Sequence, residues 1–338
     1  MNPPLQTRSL LAAFRRSRIS RKAAVAWSTA AFLLGAVPLT RAQIIAPAFA
    51  SSYSFVDLGA AAGVPASYGG LTLKAGNPNT LLLGGNADNS AGAIYSIGVT
   101  RDVDGHINAF SGTASLFSTA ANIDGGLAYG PGGVLFAATY SNNQLLQIKP
   151  GSSSPDKVID LSAAGITPST GNVSFVPAGF PGAGGIRILS YSGGGFYTGT
   201  LTPDGLGTYN LSGVALQATV GGGPEGIIYV PPGSPSFAGS NMLITEYGTG
   251  KVGAYTLDAN GYPIPASRQD FLTGLSGALG AFTDPQTGDF LFSTYGGTNH
   301  VIAVRGFAAP EPASAALLVC GGLALLGRRR GLKPTVCE

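Results

Sequence analysis

Cysteine and histidine are nearly missing from this sequence. Of its 338 residues two are cysteine, Cys320 and Cys337, and none precedes position 320. A disulfide framework, a thiolate zinc site and a cysteine nucleophile are therefore excluded from residues 1–319. Histidine is confined to His106 and His300, which leaves little material for Ser/His/Asp catalysis or a histidine-rich metal centre. Charge is scarce as well, at 10% of residues against a usual quarter or so. The formal net charge of +3 hides a segregation. Seven of the 19 basic residues precede Gln43 and four follow Gly327, so residues 43–312 hold 8 basic and 15 acidic side chains, a net of −7. A segment that acidic is a poor match for nucleic acid or an anionic membrane surface.

Glycine is what the sequence has in excess, with 52 residues, about twice the average share of roughly 7%. These glycines follow no collagen-like period. They sit between short apolar runs such as Thr80–Leu83 and Val134–Ala138, and so mark turns between many strands.

The two ends differ from the middle. Arg15, Arg16, Arg18, Arg21 and Lys22 form a basic region, Ala23–Val37 is apolar apart from Ser28 and Thr29, and Thr40-Arg41-Ala42 offers a small-residue exit. This pattern predicts an export signal over residues 1–42, handled by the Sec machinery. At the other end, Pro310-Glu311-Pro312 precedes fifteen uncharged residues, Ala313–Gly327, and then Arg328, Arg329 and Arg330. As a helix that run rises about 22 Å at 1.5 Å per residue, short of the roughly 30 Å hydrocarbon core, so it spans only with local thinning of the bilayer. The arginines predict a cytoplasmic end. Residues 43–51 and 308–312 read as linkers, 313–327 as a transmembrane helix and 328–338 as a basic tail.

Proline-glutamate-proline, a short apolar helix and an arginine cluster resemble the PEP-CTERM sorting signal of Gram-negative bacteria. The resemblance covers about twenty residues, with Pro310, Glu311, Pro312, Arg328, Arg329 and Arg330 as its motif positions. It implies recognition and processing by an exosortase, a membrane cysteine protease. It also implies a precursor anchored in the inner membrane and then a place on the cell surface or in an exopolysaccharide-rich matrix or biofilm. One departure is the tail Gly331–Glu338, longer than the family's abrupt end. The signal is an address and says nothing about activity.

The middle repeats. GGLTLKAGNPNTLLLGGN from Gly69, GGLAYGPGGVLFAATY from Gly125, GNVSFVPAGFPGAGGIRILSY from Gly171, EGIIYVPPGSPSFAGSNMLITEY from Glu225 and GALGAFTDPQTGDFLFSTY from Gly277 share one pattern. Each has a glycine or a Glu-Gly pair, a short apolar strand, a Pro- or Gly-containing turn and a second strand. A third strand follows, as in AIYSIGV or KVGAYTL, and a fourth such as KVIDL or RQDFL. The period of 46 to 56 residues predicts an all-β fold, a single β-propeller of about five four-stranded blades over residues 52–307, with six as the alternative count. The last period lacks a fourth strand, whereas the domain opens with an orphan, SYSFVDLG. That N-terminal strand is expected to complete the last blade and so remove an open edge.

In such a blade the start of the first strand and the end of the second share one edge. The first set carries Tyr68, Asp124, Asn172, Glu225 and Ser276, and the second Asn86, Tyr140, Tyr191, Glu246, Tyr247 and Tyr295. One face thus gathers aromatic, acidic and amide side chains. This composition suits a carbohydrate, whose hydroxyls need polar partners and whose ring faces stack. A cation such as calcium at the mouth of the tunnel, held by Asp124 and Glu225, is a second expectation. The third is purely structural, with tyrosine packing between blades and its hydroxyl in water. Asp102-x-Asp104-Gly105 and Asp258-x-Asn260-Gly261 lack the distal glutamate of a calcium loop and read as hairpin turns.

Two functions follow as expectations. One is a non-catalytic surface or matrix protein that binds polysaccharide or protein through its tyrosine face, with no cofactor. The other is a metal-dependent hydrolase, because PEGIIYV at Pro224–Val230 faintly resembles strands of gluconolactonase- and NHL-type propellers. That resemblance implies Asp124 and Glu225 as ligands, joined by Asn172, with Asn86 as a further candidate.

Overall fold

The computed structural model describes residues 43–297 and 299–309. The expected signal peptide, PEP motif, transmembrane helix and basic tail lie outside them. No helix among the described residues is long and apolar enough to cross a membrane.

The chain opens with β1 (Ile44–Ile45) and β2 (Ser54–Asp57). Blade I is β3 (Leu71–Lys74), β4 (Asn77–Gly85), β5 (Ala93–Arg101) and β6 (Ile107–Thr119). Blade II is β7 (Ile123–Tyr129), β8 (Leu135–Thr139), β9 (Gln144–Ile148) and β10 (Lys157–Asp160). Blade III is β11 (Thr170–Phe175), β12 (Ile186–Ser190), β13 (Gly195–Pro203) and β14 (Tyr209–Thr219). Blade IV is β15 (Pro224–Val230), β16 (Asn241–Glu246), β17 (Lys251–Thr256) and β18 (Gln269–Thr273). Blade V is β19 (Ala278–Thr283), β20 (Phe290–Thr294) and β21 (Val301–Arg305), with β2 as its fourth strand. The protein is a five-bladed propeller, and each blade is an antiparallel meander.

Closure runs through β2, which pairs with β21 from Ser54↔Arg305 to Asp57↔Ile302. His300 Nδ1 lies 2.8 Å from Asp57 Oδ2 at the end of that pairing. Residues 43–51, expected to be a linker, are instead part of the fold. Ile44 and Ile45 pair with Thr273 and Leu272, adding β1 as a fifth strand to blade IV. Phe49 then packs its ring 5.1 Å from that of Phe271 and 5.0 Å from that of Phe237. Two isoleucines and one buried phenylalanine are too short a run to show a strand period, so burial decided what the sequence pattern did not.

Five apolar clusters hold the ring, one at each seam between neighbouring blades. Strand β8 shows how. Leu135 and Ala137 face the seam with blade I, while Phe136 and Ala138 face the seam with blade III. Successive side chains of a strand point to opposite faces. A strand covered on both sides is therefore apolar throughout, as Val134–Ala138 is.

The turns that resemble calcium loops are hairpin connections. Asp102 Oδ1 accepts from the backbone N–H of Asp104 at 3.1 Å and of His106 at 3.0 Å. Asp258 Oδ1 does the same for Asn260 and Tyr262, both at 2.9 Å. The left-handed fourth position is filled by glycine in each case, with φ of 88° at Gly105 and 79° at Gly261, where a Cβ would be strained.

Candidate functional site

The inner strands β3, β7, β11, β15 and β19 meet at backbone distance. A methyl group added at Gly125 would sit 2.4 Å from the Glu225 carbonyl oxygen and 2.9 Å from that of Gly171. One added at Gly280 would sit 2.8 Å from the Gly70 Cα. Glycine at these positions lets five strands converge until backbone fills the axis. The result is a well on one face and an apolar hollow on the other, rather than an open tunnel. The hollow has a volume of about 590 Å³, with Leu73, Tyr129, Phe175, Tyr229 and Phe282 in its lining.

The well has a volume of about 320 Å³ and is lined by Asp88, Asp124, Tyr140, Tyr191, Glu225, Tyr247, Leu279 and Tyr295. Asp124 and Glu225 are the second residues of β7 and β15, and the tyrosines directly follow β8, β12, β16 and β20. Tyr247 meets Tyr191 at 5.8 Å between ring centroids and Tyr295 at 5.7 Å, both edge to face. Such pairs fix ring orientation as well as area. The four rings rim the well and the carboxyls form its floor.

The structure brings together Tyr140, Tyr191, Tyr247, Tyr295, Asp124 and Glu225 of the residues singled out from the sequence. Asn172 is not in the lining: the register aligns it with Gly226 of β15 and puts Gly171 where Glu225 stands, and Asn172 is buried with Nδ2 lacking a partner. Other candidates lie elsewhere. Glu246 is buried inside blade IV, where its Oε1 accepts from the Tyr255 hydroxyl at 2.8 Å and its Oε2 lies 2.5 Å from Arg268 Nη2. Neighbouring residues on extended chain point to opposite sides, so Glu246 cannot join Tyr247 in the well. Tyr68 is buried in the seam between blades V and I, and its hydroxyl accepts the Ala61 N–H at 2.8 Å. Ser276 is exposed, and its hydroxyl donates to the Gly296 carbonyl. Asn86 is half-buried at a φ of 53°, a turn position outside the lining. Asp88, two residues on, takes the place in the well that Tyr140, Tyr191, Tyr247 and Tyr295 hold in the other blades. Sequence reasoning missed it, although the Asn-Ala-Asp-Asn run after the second strand was the visible departure from the repeat.

The carboxyls are held away from water. Burial pushes Asp124 well above the usual carboxylate range, helped by the nearby charge of Asp88, while the Gly125 N–H acts in the opposite sense. Burial likewise raises Glu225, aided by Asp124 and then Asp88. Asp88 itself is pushed up to about 6 by burial. Asp124 and Glu225 interact directly with one another. Carboxyls that bind protons more tightly in the folded state lend stability that is full below the unfolded value near 4 and is lost as pH rises through the folded value. Glu225→Gln keeps the shape and cannot ionise. Its melting temperature is therefore expected to exceed that of the parent increasingly as pH rises from about 4 to about 8, as read by thermal unfolding. An unchanged difference across that range would contradict the burial of an ionisable Glu225.

Among the described residues no three Asp, Glu, His or Cys side chains converge at metal-ligating geometry, and a calcium ion takes six or more oxygens.

No protein-family model matches the sequence, and no curated protein matches it. Among solved structures, the chain is similar to the PQQ domain of pyranose dehydrogenase from Coprinopsis cinerea in its holo form, at 10% identity and a TM-score of 0.44, covering 78% of this chain and 97% of that one. It is similar to glutaminyl cyclase from Myxococcus xanthus at 11% identity and a TM-score of 0.45, with 75% and 95% covered. A PQQ-bound aldose sugar dehydrogenase from Streptomyces coelicolor matches at 13% identity and a TM-score of 0.38, with 73% and 83% covered.

Proposed function

We propose that this chain is an exported, exosortase-processed protein of a bacterial surface or extracellular matrix, and that it binds polysaccharide in the tyrosine-rimmed well without transforming it. Export and sorting rest on the two terminal sequence patterns. Binding rests on one observation: four tyrosines from four successive blades converge over a single pocket of about 320 Å³. Aromatic faces and buried acceptors are what a sugar, apolar on one face and hydroxylated at its edge, requires. Aromatic rims of this kind need no catalytic group, and a matrix protein needs only to hold its polymer.

The test is binding of the purified protein to a panel of bacterial exopolysaccharides. The double substitution Tyr191→Ala and Tyr247→Ala should weaken binding at least tenfold. Both side chains are half-buried on the rim, so the protein should stay folded. Binding that survives both substitutions in a folded protein would sink the assignment of the well.

A further inference from the structure

The floor of the well is short of positive charge. Among the described residues Asp88, Asp124 and Glu225 line it together with the hydroxyls of Tyr140, Tyr191, Tyr247 and Tyr295, and no lysine, arginine or histidine is in that lining. Asp124 is 1% and Glu225 3% exposed. Each of the three carboxyls keeps one oxygen without a protein donor: Asp88 Oδ1, Asp124 Oδ2 and Glu225 Oε2. A buried polar atom without a partner is costly, and a buried carboxylate without a countercharge costs more. Such groups persist where a ligand completes them.

From this we infer that the well is built for a primary ammonium group, so that the glycan bound there carries free amines. The inference rests on the binding function proposed above. An ammonium has three N–H donors with which to reach these oxygens, and charge-assisted bonds of this kind are among the strongest available. The tyrosine faces above add cation–π attraction. An N-acetylated amine is neutral and has a single N–H, so it offers these carboxyls neither a countercharge nor a second donor. Binding displaces the carboxyl protons: each acid that ionises against the ammonium releases its proton to solvent. Burial holds all three acids above the usual range, so affinity for an amine that stays protonated rises with pH.

Two titrations of the purified protein decide the matter. In the first, a glucosamine oligomer is compared with its N-acetylated counterpart at mildly acidic pH. At least tenfold tighter binding of the free amine is expected, whereas equal or preferential binding of the acetylated oligomer overturns the ammonium inference and leaves the glycan reading standing. In the second, n-butylamine, cationic throughout, is titrated between about pH 5 and about pH 8. Affinity should rise by at least tenfold, and both Glu225→Gln and the less buried Asp88→Asn should reduce that rise. An affinity indifferent to pH and to both substitutions, or no binding of butylamine, overturns the inference. Butylamine binding without either oligomer supports the ammonium site and removes the glycan.

Discussion

Gly126→Ala is expected to lower the melting temperature of the domain sharply. The added methyl would lie 2.2 Å from the Val173 nitrogen and 2.8 Å from the Asn172 carbonyl carbon. Both are backbone atoms of β11, which cannot rotate aside as a side chain can. Gly126 does not have a positive φ, so alanine has no torsional objection and the whole effect is steric. Relief requires β11 to retreat from β7, and with it the contact between Gly125 and Gly171 on which the axis depends. Overpacking costs about 1–3 kcal/mol in a core that can yield. Here two backbones face each other, and about 5 kcal/mol is expected. For a domain of this size that corresponds to roughly 10 °C or more in melting temperature. Gly221→Ala is the control, because nothing lies within 4 Å of a methyl there. A Gly126→Ala protein that melts with the parent would mean that the axis is not filled by backbone.

Arg268→Met is expected to destabilise the fold by about 4 kcal/mol, the range measured when one member of a buried ion pair is removed. Glu246 is 1% exposed. Arg268 holds both its oxygens, through Nε at 2.6 Å to Oε1 and Nη2 at 2.5 Å to Oε2, and Nη2 also lies 2.8 Å from Asp270. Without the guanidinium, Glu246 keeps donors only from the hydroxyls of Tyr255 and Thr249, too few to offset a buried negative charge. The double variant Glu246→Leu with Arg268→Met should recover much of the loss, since an apolar pair of similar volume often replaces a buried ion pair without cost. The coupling energy from a double-mutant cycle by denaturant titration measures this. Additive losses would mean that the pair does not act as a unit.

These two positions also mark what the sequence could and could not convey. The blade pattern was readable because every period repeats the same turn residues, and because a missing fourth strand at one end matched an orphan strand at the other. The tyrosine rim was readable for the same reason, since a position repeated in four blades must gather on one face of a ring. Glu246 was misjudged because it adjoins Tyr247 in sequence, where extended backbone sends it the other way. Asp88 was missed because its loop departs from the repeat. The glycines at the start of each period were visible, but that they close the axis depends on distances between strands far apart in sequence. The role of Ile44, Ile45 and Phe49 was hidden for a related reason, because a two-residue strand has no period of its own.

The pairing of β2 with β21 has a kinetic consequence. Ser54 is among the first residues of the domain to emerge during synthesis, and its partner Arg305 is among the last. Blades I to IV can form their hairpins locally and quickly, but the ring cannot lock until nearly the whole domain is available. Contacts so distant in sequence are slow to form, and unpaired strand edges invite the wrong partner while they wait. The domain therefore spends its last folding step as an open arc with two exposed edges, β2 at one end and β21 at the other. A second chain arriving at that moment can satisfy either edge, so crowding during production should favour exchange of β2 between molecules over closure within one.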